Sequence, residues 1–325
     1  MFLAPEGHEL SIADAAGKFL LDLIPASRLH RTGAADVDAA VRAKLGEFGW
    51  FGLAVAEAQG GSGLSAVEHA LFFREVGRQI GPIDVLTQSL AALTARDDDG
   101  LRAALLAGET GVVLAVREPA GLRLLGAPDA SLALLADPDG ARLVRLAPGA
   151  GTLAPSLDPA TSMRSLREEP GGAVAVASGP DIWRMGQVGA AAMLVGIAEQ
   201  ALDAIVAYAK VRETFGRPIG AYQAVRHPCA DMAVRAEAAR CQLWYAAAAL
   251  KEGRADAADH LNAAKHLANQ AAAANADLNI QLHGGIGVTD EHDAHLLLKH
   301  ALLLVRVFGS KRQLLTQLLH AGQEG

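Results

Sequence analysis

Aromatic residues make up only 4% of this 325-residue chain. The interior must therefore be built mainly from Ala, Leu and Val, and 51% of all positions are hydrophobic. That proportion excludes a disordered chain and suits one large domain or a few small packed ones. Cysteine is nearly absent. Cys229 and Cys241 fall in one apparent helix, ~18 Å apart at about 1.5 Å rise per residue, too far to form a disulfide with each other. A reduced, cytoplasmic setting is the expectation. No basic run exceeds two residues and the net charge is −7, so the basic footprint of a nucleic-acid binder is missing. No stretch of about 18 apolar residues is free of charge, so no membrane span is expected. Met1 to Glu9 carries acids where a secretory leader carries bases. The eleven histidines form no cluster with zinc spacing, and no metal site is expected.

What is present is mostly helical texture. Ala/Leu-rich stretches with charges three and four apart read as helices over 12–23, 35–48, 65–80, 84–95 and 101–107. Gly60-Gly61-Ser62-Gly63 and Gly81-Pro82 separate them. Ser65 followed by Glu68 is a capping-box pattern. From Gly111 to about Pro180 the texture changes to short β-type runs at 112–116, 130–135, 141–146 and 173–177, with Asp137-Pro138-Asp139-Gly140 as a hairpin turn. Long helical stretches return at 181–214, 221–253, 256–283, 291–308 and 310–321, with breaks short enough for an antiparallel bundle. The expected architecture is mainly α with a small β middle domain: an N-terminal helical domain over 1–110, a shortened β domain over 111–180 and a C-terminal four-helix bundle over 181–325.

Two strings carry chemistry. The first is Arg212-Glu213-Thr214-Phe215-Gly216-Arg217-Pro218-Ile219, with Gln223 after it and Ala230-Asp231-Met232 behind. The second is Gln281-Leu282-His283-Gly284-Gly285-Ile286-Gly287. Arg212 offers a fixed guanidinium fork suited to a diphosphate, Thr214 and Gln223 add neutral hydrogen-bonding groups, and Gly284, Gly285 and Gly287 let a ligand approach the backbone. Taken singly, Arg212 could equally end a helix, where a cation suits the dipole, and the glycines could equally turn the chain.

Jointly and in this order, these strings resemble those of the acyl-CoA dehydrogenase family. Further strings agree along nearly the whole chain: Phe51-Gly52-Leu53 through Ser65, Glu75-Val76-Gly77-Arg78, and Glu118-Pro119-Ala120-Gly121. The resemblance implies an acyl-CoA dehydrogenase-like fold and an oligomer in which each FAD is shared between subunits. In that arrangement Arg212, Thr214, Phe215, Gln223, Gln281, Leu282, Gly284 and Gly285 would serve the adenosine and diphosphate end. It also implies an acyl-CoA substrate, desaturated between its α and β carbons, and an electron-transferring flavoprotein as acceptor.

The pattern breaks where the family places its catalytic carboxylate. One of its two positions, 24 residues beyond Gly284, is Phe308 here; the other is Trp183, just before a retained Arg184. Neither ring can accept a proton at neutral pH. No catalytic residue is recognisable. The family string whose Trp and Thr cover the flavin ring is also missing from 111–180. The expectation is a subunit that supplies one half of a shared FAD site to a catalytic sister chain in a heterotetramer. Such split dehydrogenases act on bulky thioesters, notably shortened steroid side chains. Two alternatives stay open: a self-sufficient homo-oligomer with a non-standard base, and a flavin-free scaffold of the same fold.

Overall fold

The computed structural model describes residues 5–30 and 38–321. Positions 1–4 of the N-terminal stretch read above and 35–37 of the expected second helix lie outside the described residues. Five helices come first: α1 (His8–Leu23), α2 (Ala39–Glu47), α3 (Ala66–Arg78), α4 (Ile83–Thr94) and α5 (Asp99–Leu106). The Ser65/Glu68 capping box opens α3, with Ser65 accepting from the Val67 N–H and Glu68 accepting from the Ser65 N–H at 2.9 Å.

A sheet follows: β1 (Val112–Glu118), β2 (Gly121–Leu125), β3 (Leu132–Asp137), β4 (Gly140–Arg145), β5 (Thr152–Ala154), β6 (Met163–Leu166) and β7 (Ala173–Ser178). Its spatial order is β5-β6-β2-β1-β3-β4-β7, with β1 parallel to β3 and every other pair antiparallel. The turn at Asp137–Gly140 forms as read, the Asp137 carboxylate accepting from the Asp139 and Gly140 N–H groups. The two-residue period sorts the side chains. Val112, Leu114, Leu132 and Leu134 join the main core, whereas Val113, Ala115, Ala133 and Leu135 form a second, smaller one. Strands β2, β5 and β6 were not among the runs expected from sequence.

The remaining elements are α6 (Asp181–Val211), β8 (Glu213–Thr214), β9 (Arg217–Pro218), α7 (Gln223–Lys251), α8 (Ala257–His283), α9 (Ala294–Leu304) and α10 (Lys311–Ala321). Side-chain contacts fix their directions. Gln187 donates to Asn262 at 3.0 Å and Asn275 donates to the Ala198 carbonyl at 3.1 Å, so α6 and α8 run parallel. Asn275 also donates to the Met232 carbonyl, and Gln242 meets His260, which sets α7 antiparallel to both. Small residues let these helices approach closely. A Cβ on Gly77 of α3 would lie 2.0 Å from the Met193 carbonyl oxygen of α6, and one on Gly196 of α6 would lie 2.0 Å from that of Arg74 of α3. The glycine of Glu75-Val76-Gly77-Arg78 is therefore a crossing point between helices. Arg74 and Arg78 then bind Glu199 and Asp203 across the same seam, at 2.6 and 2.7 Å.

Among the described helices, α6 is long and apolar enough to cross a membrane, although 67% of its most apolar stretch is buried inside the protein. It is the central core helix, packed by α3, α7 and α8.

The β region and the C-terminal helices meet at a buried polar junction. Asp158, in the loop between β5 and β6, accepts from His300 Nδ1 of α9 at 2.8 Å, from Thr161 Oγ1 at 2.8 Å and from the Ala160 N–H at 3.0 Å. Asp158 is 1% exposed and His300 is fully enclosed. Arg28 from the N-terminal part lies within range of the Asp158 charge while donating to the Ile24, Gln79 and Ile80 carbonyls, and its burial lowers its pKa to about 10.

Candidate functional site

Helix α6 carries a candidate site at each end. Near its start, Trp183 and Phe308 meet, with ring centroids 5.6 Å apart at 59°. They lie 125 positions apart in the chain, and the fold brings them together. Phe308 is 4% exposed and adopts φ 53°, a left-handed corner that a bulky residue takes only when its surroundings hold it there. Its ring packs against Gly186, where a Cβ would come within 2.3 Å of it. Trp183 and Arg184 are half-buried on the first turn of α6. Among the described residues no carboxylate pairs with Arg184. Two interlocked rings can exclude water and fill volume, but they can neither take nor give a proton.

At the other end of α6 the chain leaves the helix at Arg212 and turns through a two-residue hairpin. Strands β8 and β9 pair Thr214 with Arg217, and the turn residues Phe215 and Gly216 have φ 50° and 79°. Both central residues of such a turn must be left-handed, which makes the glycine natural and the phenylalanine strained. The hairpin is braced on the far side. Tyr222 donates to the Thr214 carbonyl at 2.9 Å, the Arg217 guanidinium lies 4.2 Å above the Tyr222 ring, and the Ile219 N–H donates to the Arg212 carbonyl at 2.8 Å. This framework holds Phe215 out in solvent, 96% exposed. Arg212 and Gln223 are exposed beside it, and Thr214 is half-buried.

The glycine string lies at the same end. Helices α6 and α8 finish side by side, with the Tyr208 and His283 rings 4.5 Å apart. Gln281 is exposed, Leu282 is half-buried, and the space beyond Gly284 and Gly285 is open. Gly284 has φ 68°. Gly287 departs from the sequence reading. A Cβ there would lie 2.8 Å from the Ile280 carbonyl, so packing against α8, and not ligand approach, demands this glycine.

Residues from the N-terminal part and from the segment after the glycine string complete this end. A cavity of about 410 Å³ lies next to the glycine string, walled by Ser27, His30, Arg78, Tyr208, His283 and His292. His283 donates from Nδ1 to the Asn279 carbonyl at 2.7 Å, and burial lowers its pKa. His30 contacts Asp293 at 2.5 Å; burial opposes protonation, but that carboxylate and the Asp290 carbonyl prevail and raise its pKa. Far from here, His8, Glu9 and Glu68 bring three ligand-type atoms within 4.8 Å of one another. Glu68 is already engaged by Ser65, and Glu9 by Lys251 at 3.5 Å.

The arrangement suits an extended anionic ligand at the hairpin end. An exposed guanidinium, an exposed aromatic face and unobstructed glycine backbone occur there, at the adjoining C-terminal ends of α6 and α8. These groups fit the adenosine and diphosphate portion of FAD. The Trp183/Phe308 end fits no acid or base.

Comparison with known proteins agrees with the architecture. Residues 6–96 match the model for the acyl-CoA dehydrogenase N-terminal domain, and residues 184–320 match that for the acyl-CoA dehydrogenase C-terminal domain. The chain is 35% identical over 285 residues to the acyl-CoA dehydrogenase FadE34 of Mycobacterium tuberculosis; the match covers 83% of this chain and 40% of that protein. It is 31% identical to the acyl-CoA dehydrogenase IpdE2 of the same organism, over 82% of this chain and 81% of the relative. The chain thus spans about two fifths of the length of one relative and four fifths of the other. Among solved structures, the Tcur3481-Tcur3483 steroid ACAD superimposes with TM-score 0.81 at 25% identity, covering 98% of this chain and 99% of that one. The ChsE4-ChsE5 complex from Mycobacterium tuberculosis gives 0.82 at 21% identity with both chains covered in full, a likeness of fold.

Proposed function

The chain belongs to the acyl-CoA dehydrogenase family, and from that premise we propose that it is the non-catalytic subunit of an FAD-dependent acyl-CoA dehydrogenase acting with a catalytic sister chain. The observation that carries this reading is the contact between Trp183 and Phe308. Both positions that could hold the base are aromatic, and the two rings fill one another's space. The opposite end of α6 keeps its polar groups exposed.

In this reading Arg212 pairs with the diphosphate of FAD through charge-assisted hydrogen bonds. Thr214, Gln223 and Gln281 offer neutral donors and acceptors, Phe215 offers a flat face, and Leu282 supports the loop. The backbone at Gly284 and Gly285 admits close approach. When bound, FAD supplies the acceptor for the hydride that leaves the β-carbon of the acyl group. The α-proton needs a carboxylate beside the thioester, and the sister chain must provide it. The rings of Trp183 and Phe308 close the equivalent space in this subunit to acyl groups and to water. The name of one structural relative, a steroid ACAD, supports a bulky acyl group such as a shortened steroid side chain. An electron-transferring flavoprotein is the acceptor we favour.

Co-expression with a candidate sister chain, followed by sizing and flavin quantitation, tests the assembly. The expected product has half as many flavins as chains, and the chain purified alone carries none. Activity from the single chain at one flavin per subunit would end the proposal. A second expectation concerns the missing base. Phe308→Glu in the isolated chain should reduce no dye with any acyl-CoA, because a base without a flavin beside it has nothing to drive. Dye reduction by that single variant would show that this chain builds a flavin-ring pocket of its own.

A further inference from the structure

The side chain that holds the aromatic pair closed comes from α8. Lys265 is fully enclosed. Its ammonium donates to Asn269 Oδ1 at 2.6 Å and to the Leu304 carbonyl at 3.2 Å. Leu304 is the last residue of α9, and the same carbonyl accepts from the Val307 N–H at 3.3 Å, in the turn just before Phe308. A helix C-terminus presents unpaired carbonyls and partial negative charge, so a cation is well placed there. One turn earlier on the same face of α8, Asn262 accepts from Gln187, the neighbour of the glycine on which the Phe308 ring rests. Helix α8 thus fixes the seat through Asn262 and the corner bearing the ring through Lys265.

We propose that Lys265 is the positioning residue of the Trp183/Phe308 pair: by pinning the end of α9 it holds the left-handed corner at Phe308 and so keeps the acyl space of this subunit closed. The proposal rests on the reading of that space given above. Its logic is positional, not structural. Among the described residues no carboxylate pairs with Lys265, and burial lowers its pKa to about 7. An apolar side chain in its place removes the cost of burying the ammonium but leaves Asn269 Oδ1 without this donor, while the Leu304 carbonyl keeps the Val307 N–H.

The test uses the full chain labelled with 5-fluorotryptophan. Fluorine NMR gives separate lines for Trp50, Trp183 and Trp244, with Trp183→Phe as the assignment. Gly186→Ala places a methyl group where the Phe308 ring lies and defines the spectrum of a displaced pair. Lys265→Met is expected to move the Trp183 line towards that spectrum and to leave the other two lines in place, with at most a modest fall in melting temperature. An unmoved Trp183 line in Lys265→Met overturns the proposal. So does movement of all three lines with a lower melting temperature, which is the mark of a purely structural residue. If Lys265→Met does not fold, Lys265→Gln, whose shorter side chain falls short of the Leu304 carbonyl, is read by the same outcomes. Neither flavin nor sister chain is needed, so failure here leaves the proposed assembly standing, and failure of the assembly leaves this result readable.

Discussion

Asp158→Ala is expected to destabilise the protein by about 3–5 kcal/mol, because it leaves three buried donors without their acceptor at a cost of about 1–3 kcal/mol each. The carboxylate satisfies three donors from two elements: the His300 ring, the Thr161 hydroxyl and the Ala160 N–H. Without it the His300 imidazole, whose Nε2 has no partner among the described residues, would be enclosed with both nitrogens unpaired. The pH dependence has a definite sign. Burial pushes the Asp158 carboxyl up, but the His300 ring, the Ala160 N–H and the Thr161 hydroxyl outweigh it and hold the group below its ordinary value. A carboxyl depressed in the folded state contributes stability that is present above its unfolded value of about 3.9 and is lost as pH falls towards the folded value. The wild type should therefore lose urea resistance progressively below about pH 5, and Asp158→Ala should lose less over the same interval. Asp158→Asn keeps the shape and some of the hydrogen bonds, so its penalty should be smaller. A loss under about 1 kcal/mol for Asp158→Ala, typical of an exposed pair, would show that the junction carries little load.

The same junction marks the limit of what was legible in the sequence. Local signals were reliable: the Ser65/Glu68 box opens α3, and the Asp137–Gly140 turn joins β3 to β4. Long helices came out within a few residues of their ends because their periodicity is extended. The short strands did not. Strand β2 follows Pro119-Ala120, where the run reads as a motif and not as a hairpin, and β5 and β6 are three and four residues long. They become strands only because partners exist to pair with them. Polar residues on α8 were equally opaque. Asn262, Lys265, Asn269, Asn275 and Asn279 carry no mark of burial in the sequence, yet all are buried. Helical spacing shows which residues share a face but not whether another helix covers it. Asp158 and His300, 142 positions apart, gave no signal of their meeting. At the candidate site the exposed strings were legible because backbone chemistry marks them, through the glycines and the Phe-Gly turn. The contact between Trp183 and Phe308 required the fold.

Arg212→Ala in the assembled protein is expected to weaken FAD retention roughly ten- to a hundredfold, because a hydrogen bond to a charged group is worth about 1.5–3 kcal/mol. The position of Arg212 makes this a clean experiment. It is the residue at which α6 ends, its own N–H donating to the Tyr208 carbonyl and its carbonyl accepting from Ile219, and both contacts are made by backbone that alanine retains. The side chain is exposed, and among the described residues it pairs with no carboxylate. Truncation should therefore leave the hairpin and the melting temperature of the flavin-free protein unchanged, while dialysis removes flavin faster. Arg212→Lys separates charge from geometry. An ammonium restores attraction to a diphosphate but not the planar fork, so it should recover only part of the lost affinity. Salt gives a further discriminator, since an exposed charge contact weakens as ionic strength rises while stacking on Phe215 does not. A wild-type affinity that falls with salt, and an Arg212→Ala affinity that depends on it less, would place the guanidinium on the phosphates. Flavin occupancy after dialysis that is the same in Arg212→Ala as in wild type would remove Arg212 from the site and leave its role as the end of a helix.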